Sequence, residues 1–298
     1  MRNERNTNKY LNVAITTGLL LTLNACDTST LNKADSTEVP FIPLNDTGVT
    51  FFIDDTNSNG KPLIYTSTPD KFPNSQTINS SSEPSNFPGQ DGTYGRDTQE
   101  FNDFNGNAGF SLTKLDKVSG AVLNDDAVTY GCVADNVTGL TWEHKIKTSD
   151  IENELHTAHA KYTWYDPNPS TNGGDSGLAD TSLCQDAAVV GNTLEFIQDV
   201  NQEELCGFDD WRLPTVEEIR SIIDYQADAS ETNLMLDPNF FPYAALTAHR
   251  WTSQSLGTDS TIAFGFHMHD GFVQYHTKYC TSGQSNYHNG IMLVRGPN

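Results

Sequence analysis

Four cysteines, Cys132, Cys184, Cys206 and Cys280, limit what this chain can become. They matter because of what stands at the N-terminus. Arg2, Arg5 and Lys9 are followed by an apolar run from Leu11 to Leu23 and then by Asn24 and Ala25. Positive charge, an apolar stretch and a small-residue site, in that order, are the layout of a secretory signal peptide. An exported chain meets an oxidising compartment, where cysteines pair. Four cysteines allow three pairings, and their spacing does not choose among them. No Cys-x-x-Cys pair occurs, so the four do not read as a metal site. The apolar run of about thirteen residues falls short of the roughly 20 that a membrane-spanning helix needs.

The fifth cysteine, Cys26, directly follows Ala25. A cysteine in that place resembles the bacterial lipoprotein signal, or lipobox. The resemblance implies cleavage before Cys26 and acylation of the new N-terminus. Acyl chains anchor by burying methylenes, at roughly 0.8 kcal/mol each. The bacterial membrane is therefore the first expected partner, reached through a lipid anchor. Asp27 resembles the residue that retains such proteins at the inner membrane of enteric bacteria. The expected location is the cell envelope, on the periplasmic face or the cell surface.

Charge narrows the other partners. The chain carries 17 basic and 39 acidic residues. Removing the leader's three basic residues and Glu4 leaves 14 against 38, a net charge of −24. Such a field repels nucleic acid and sulfated polysaccharide and suits neutral ligands, cationic ligands or divalent cations. Aromatic residues make up 10% of the chain, which argues against wholesale disorder.

The chain divides into a signal peptide (1–25), a polar tether (26–45), a loop-rich region with short strands (46–127) and a regular C-terminal domain (128–297). Strands are expected near 48–53 and 110–115 from their alternation. Residues 128–133 and 140–143 flank the turn-forming Asp135-Asn136-Val137-Thr138-Gly139, and 162–165 reads as a short aromatic strand. A helix is expected over 193–204, with Leu194, Ile197 and Leu205 facing the core and Gly207 closing it in the left-handed conformation. Thr215-Val216-Glu217-Glu218 is a capping box that starts a second helix with Val216, Ile219, Ile222 and Ile223 on one face. Residues 225–260 show few periodic signals and read as a long functional loop. Residues 261–268 and 272–277 alternate as two strands about Asp270-Gly271, and 290–295 supplies a last strand. The order describes an α+β domain: two helices packed on a mixed, mainly antiparallel sheet.

Two blocks carry a resemblance. Asp135-Asn136-Val137-Thr138-Gly139-Leu140-Thr141-Trp142 and Cys206-Gly207-Phe208-Asp209-Asp210-Trp211-Arg212-Leu213-Pro214-Thr215, with Glu218 beyond, resemble the DUF1566 domain. That family is also named for the C-terminal domain of the Legionella collagen-like adhesin. Leu293-Val294-Arg295-Gly296 is similar to its last strand. The resemblance covers roughly 128–297 and implies a C-type-lectin-like fold with a long binding loop. It also implies adhesion, since the adhesin binds polysaccharide. This chain lacks the collagen-like repeat, and its acidity argues against sulfated ligands. The expected partner is a glycan or an envelope protein, held without catalysis. Within the second block Trp211, Leu213 and Pro214 read as core anchor and helix entry, and Arg212 is expected to pair with Asp209, Asp210 or a buried carbonyl.

The sequence offers several site candidates. A two-residue turn at Asp270-Gly271 would set His267 opposite Gln274 and place His267, His269, Gln274 and His276 on one polar face. Phe264, Phe266, Met268, Val273 and Tyr275 would face the core. Trp251, Tyr243, Tyr275 and Tyr287 are the aromatic side chains expected to stack on a ligand. Asp55, Asn57 and Asn59, ahead of Gly60, resemble the start of a calcium loop, though Thr66 stands where the bidentate Glu belongs. Calcium is thus the one cofactor the sequence suggests. Asp237-Pro238-Asn239 is loosely similar to the sugar-binding tripeptide of calcium-dependent lectins. His156 and His159, in a polar segment, read as surface loop. No Gly-x-Ser-x-Gly, His-Glu-x-x-His or phosphate-cradling glycine loop is present, so the chain does not read as an enzyme.

Overall fold

The computed structural model describes residues 109–147, 154–225 apart from 183 and 187, 235–244, 249–280 and 289–296, with Gly106 and two short strands further upstream. Those two, β1 (Phe51–Phe52) and β2 (Gln76–Thr77), pair antiparallel. Cys26, Asp55, Asn57, Asn59 and Tyr287 lie outside the described residues.

Three further sheets build the domain. One has four strands, β3 (Leu112–Leu115), β4 (Cys132–Asp135), β5 (Thr141–Glu143) and, at the end of the chain, β11 (Val294–Arg295), in the order β11-β5-β4-β3. A parallel pair joins β6 (Lys161–Thr163) to β7 (Val189–Asn192). The third sheet is antiparallel, β10-β9-β8, from β8 (His249–Ser255), β9 (Ile262–His267) and β10 (Val273–Thr277). Two helices, α1 (Thr193–Glu203) and α2 (Val216–Arg220), complete an α+β arrangement with mainly antiparallel sheets. β3 precedes residue 128 yet is paired with β4 along its full length.

Side-chain alternation explains why this small set of strands holds two cores. Along the C-terminal segment, Ile291 and Leu293 enter a cluster with Trp211, Trp164 and Phe196. Met292 and Val294 enter the other, with Trp142, Ile219 and Phe266. All four are at most 1% exposed. An extended segment with both faces covered reads as a continuous apolar run, as Ile-Met-Leu-Val does here on its way into β11. α1 adds Phe196 and Val200 to the first cluster, and α2 adds Ile219 to the second.

Local chemistry sets the element ends. Asp135 Oδ1 accepts the Val137 and Thr138 amides at 2.9 and 3.3 Å, and Gly139 turns with φ +75°, so the β4–β5 hairpin forms at the expected residues. Thr215 and Glu218 cap α2 reciprocally. α1 has a second capping box, Asn192 with Glu195, that the sequence reading missed. Its buried face is Thr193, Phe196 and Val200, not Leu194 and Ile197, which are half-buried. The left-handed residue that closes it is Glu204 (φ +54°), three residues before Gly207. A 3-10 turn, Leu205–Gly207, follows.

The cysteines pair as Cys132–Cys206 and Cys184–Cys280, over sequence separations of 74 and 96. The first bridge lies in the core. Cys206 is also left-handed (φ +54°), and Gly120 accommodates its carbonyl: a Cβ on Gly120 would lie 2.3 Å from it. Of the expected Arg212 partners, the structure has the carbonyls: the guanidinium donates to those of Leu213 and Gly296, both at 3.3 Å. It also forks onto Glu218 at 2.6 and 2.8 Å, while Arg295 takes Asp210.

Candidate ligand-binding site

β9 and β10 are joined by a four-residue loop, Met268–Gly271, rather than a two-residue turn. The His267 amide donates to the Phe272 carbonyl at 2.8 Å and Gln274 lies opposite Gly265. Met268 is fully buried, and Asp270 Oδ1 accepts the Phe272 amide (3.2 Å) and lies 2.5 Å from His267 Nδ1, which fits the longer loop. The register thus differs from the expected one by two residues. An even shift keeps faces intact, so His267, Gln274 and His276 still share one face. His269 does not; it sits in the loop, 5.9 Å from the His267 ring.

β8, inside the stretch read as a long loop, adds His249 to this face. Its ring lies 4.5 Å from that of His267 and 4.6 Å from that of His276, and its Nε2 is 3.0 Å from Gln274 Oε1. This face is turned partly into the protein. Trp251 and Ala263 pack from it into a core, and His276 is buried. Burial and the neighbouring rings push the His276 pKa down to about 4. Among the described residues, no three histidine, cysteine or carboxylate side chains converge as a metal-binding group. Trp251, 1% exposed, donates its indole N–H to the Tyr162 carbonyl and presents no stacking surface. Tyr275 is on the opposite face and 63% exposed, since that edge of the sheet lies beyond the core. His156, read as surface, is buried between Glu143 and Glu203.

An opening lies elsewhere on the same sheet, next to a bulge in β8. Trp251 pairs with Gly265 but Ser255 with Ala263, so the residues between them are displaced from the ladder. Bulges re-aim side chains. Here Ser253 bonds the Pro214 carbonyl through its amide at 2.8 Å, and Gln254 Oε1 accepts the first amide of α2, that of Val216, at 2.8 Å. The bulge, the α1 residues Leu194 and Ile197, and the loop 166–173 enclose a groove of about 810 Å³. Its walls combine Tyr165 and Phe264 with the polar groups of Thr171, Ser253, Gln254 and Ser255.

The loop that forms one wall is held rigidly. Asp166, Asn168, Asn172 and Asp175 each accept an amide two residues on, at 2.8 to 3.0 Å. Lys278, buried, donates to the Asn172 and Asp175 carbonyls at 2.8 and 2.7 Å and lies over the Trp164 ring. Tyr279 O–H bonds Asp175 at 2.7 Å, and Cys280 next to it carries a disulfide. Gly177 is obligatory, since a Cβ would lie 2.1 Å from the Trp164 carbonyl. None of this was visible in sequence; the clue was the density of Asp, Asn and Gly between 166 and 177.

An α+β domain with two disulfides and a rigid, open groove is the class these features define. The chain belongs to the Lcl C-terminal domain family, which it matches over residues 131–288, more than half its length. No curated protein and no solved structure shows a significant match. Among the described residues no helix is long and apolar enough to cross a membrane.

Proposed function

We propose that this chain is an exported envelope lipoprotein, tethered through Cys26, whose C-terminal domain has a C-type-lectin-like fold and binds a glycan or protein ligand without catalysis. The signal-like N-terminus supports export, and the family supports adhesion. The observation that carries the binding reading is the groove of about 810 Å³, where Tyr165 and Phe264 stand beside the hydroxyls and amide of the β8 bulge and a pinned loop forms one wall. Aromatic faces take the apolar side of a sugar ring, hydroxyls and amides take its polar edge, and a preformed wall lowers the ordering cost of binding. The acidity of the chain selects neutral over sulfated ligands.

Retention of the folded mature chain on an array of immobilised glycans, envelope polysaccharides and envelope proteins tests this. Selective retention on one neutral glycan or one protein is expected. A folded chain retained by none of them contradicts the reading.

A further inference from the structure

Away from the groove, Tyr130, His144 and Tyr243 line a separate pocket of about 580 Å³, but the Lys114 ammonium already lies over the Tyr130 ring, 4.9 Å from its centre. A sheet edge offers more. In the order β10-β9-β8, the outer side of β8 is met by the C-terminal segment. There the Trp251 amide donates to the Gly290 carbonyl at 3.0 Å, and the Gly290 amide to that of His249 at 2.9 Å. β10 is the other edge, and among the described residues no strand lies beyond it.

Which backbone groups face that edge follows from two hydrogen bonds at its ends. The His267 amide donates to the Phe272 carbonyl at 2.8 Å, and the Lys278 amide to the Thr261 carbonyl at 2.9 Å. Bonded and non-bonded pairs alternate along an antiparallel ladder. Residues 272, 274, 276 and 278 therefore turn their backbone groups toward β9, while Val273, Tyr275 and Thr277 turn amides and carbonyls outward. Tyr275, at the centre, is 63% exposed, and its cross-strand neighbour is Phe264. Donors and acceptors at every second residue are what a further strand needs. Natural edges are guarded against this by charged side chains, proline or a bulge. β10 reads Val-Gln-Tyr-His-Thr, without Lys, Arg, Asp, Glu or Pro, and its register with β9 is unbroken over its whole length.

Charge decides the occupant. The chain carries a net −22, which works against a second copy of itself on this edge. A carboxylate stands near each end of the strand, Asp270 in the loop ahead of it and the exposed Asp259 in the loop that meets Lys278 through Thr261. Lys278 itself is buried, with its ammonium on the Asn172 and Asp175 carbonyls.

We propose that the outer edge of β10 docks an extended, basic segment of a partner protein, which joins the sheet as a fourth strand. Main-chain bonds to Val273, Tyr275 and Thr277 hold it, apolar side chains at alternate positions lie against Tyr275, and lysines or arginines meet the acidic field of the chain. The proposal goes beyond the reading of the α1 groove, since it concerns a different surface and stands or falls by itself.

The test is amide hydrogen exchange, followed by NMR on the 15N-labelled mature chain with a synthetic decapeptide of alternating valine and lysine. With the peptide at about ten times its Kd, exchange at Val273, Tyr275 and Thr277 should slow about tenfold. Gln274 and His276, whose amides already face β9, should be unchanged. The same peptide with its backbone amides N-methylated should protect none of the three. A decapeptide of alternating valine and glutamate should bind at least about tenfold more weakly. Tyr275→Lys, at an exposed position, should weaken the lysine peptide several-fold by placing a like charge beside it. Protection of none of the three amides, or equal binding of the glutamate peptide, overturns the proposal. So does protection of all three before any peptide is added, with the chain sedimenting as a dimer, since a second copy then holds the edge.

Discussion

His156 and Glu143 meet inside the core, with Nδ1 and Oε1 2.8 Å apart and both side chains at most 5% exposed. The other imidazole nitrogen lies 2.8 Å from Glu203, so each ring nitrogen faces a carboxylate and both must donate. The ring is held as an imidazolium. Lys145 donates to the same Glu143 oxygen at 2.7 Å, and the Leu293 amide takes the other at 2.9 Å. Glu143 thus joins β5 to the C-terminal segment, to the segment before β6 and, through His156, to α1.

Removing His156 leaves the fully buried Glu143 carboxylate short of one charged partner, with Lys145 alone to balance it, while the part-exposed Glu203 keeps Lys117. His156→Ala should therefore lower unfolding stability by about 3–5 kcal/mol, the usual cost of breaking a buried ion pair. Urea unfolding of variant and wild type measures it. A loss under about 1 kcal/mol, the level of a surface pair, would show that water reaches the network.

The histidines should titrate in opposite directions. Burial works to lower His156, but its contacts with Glu143 and Glu203 outweigh that and raise its pKa. Its contribution is complete below its unfolded value of 6.5 and is lost as pH rises through the raised folded value. Burial lowers His144 and His276 to about 4 from 6.5, so their contribution is complete above 6.5 and is lost as pH falls from 6.5 to about 4. Glu203, held at about 2 by His156 against a usual 4.5, adds a loss below 4.5. Stability should therefore fall steadily from pH 6.5 downward. NMR titration at pH 7 should show His156 charged while His144 and His276 are neutral. A flat stability profile between pH 6.5 and 4, or a neutral His156 at pH 7, contradicts this.

What could be seen in the sequence was local. The Thr215–Glu218 box, the Asp135–Gly139 turn and the alternation of β9 and β10 are all encoded within a few residues. The disulfide partners were not, because separations of 74 and 96 carry no pairing signal. Nor was His156, whose polar neighbours concealed a burial made possible by partners 13 and 47 residues away. His249 was hidden because its strand contains a bulge and so breaks the period-two pattern. Of the candidate site residues, the structure gathers His267, Gln274 and His276, moves Tyr243 to another pocket and consigns Trp251 to the core.

The Cys132–Cys206 bridge holds a left-handed Cys206 against Gly120. Replacing both cysteines with alanine should cost about 2–5 kcal/mol. Gly120→Ala should also destabilise, because the new methyl meets the Cys206 carbonyl and Gly120 itself has φ +65°. Thermal unfolding without reductant checks both. A Gly120→Ala protein as stable as wild type would refute the close approach.

Arg212 and Glu218 combine an ion pair with a helix cap. Arg212→Lys should lose the two-pronged contact even though it keeps the charge. Glu218→Ala removes the Arg212 partner and the acceptor of the Thr215 amide, 2.8 Å away, and should cost about 1–3 kcal/mol. Denaturant midpoints measure both. Equal midpoints for wild type and Glu218→Ala would show that the pair contributes nothing.

The binding account comes down to one measurement, calorimetric titration of the mature chain and its Ser170→Trp variant with the glycan or protein found on the array. Ser170 is exposed on the groove wall, so tryptophan there fills the opening without disturbing the core. Saturable binding by wild type and at least tenfold weaker binding by the folded variant is the expected result. Equal affinities would place the ligand elsewhere and contradict the account.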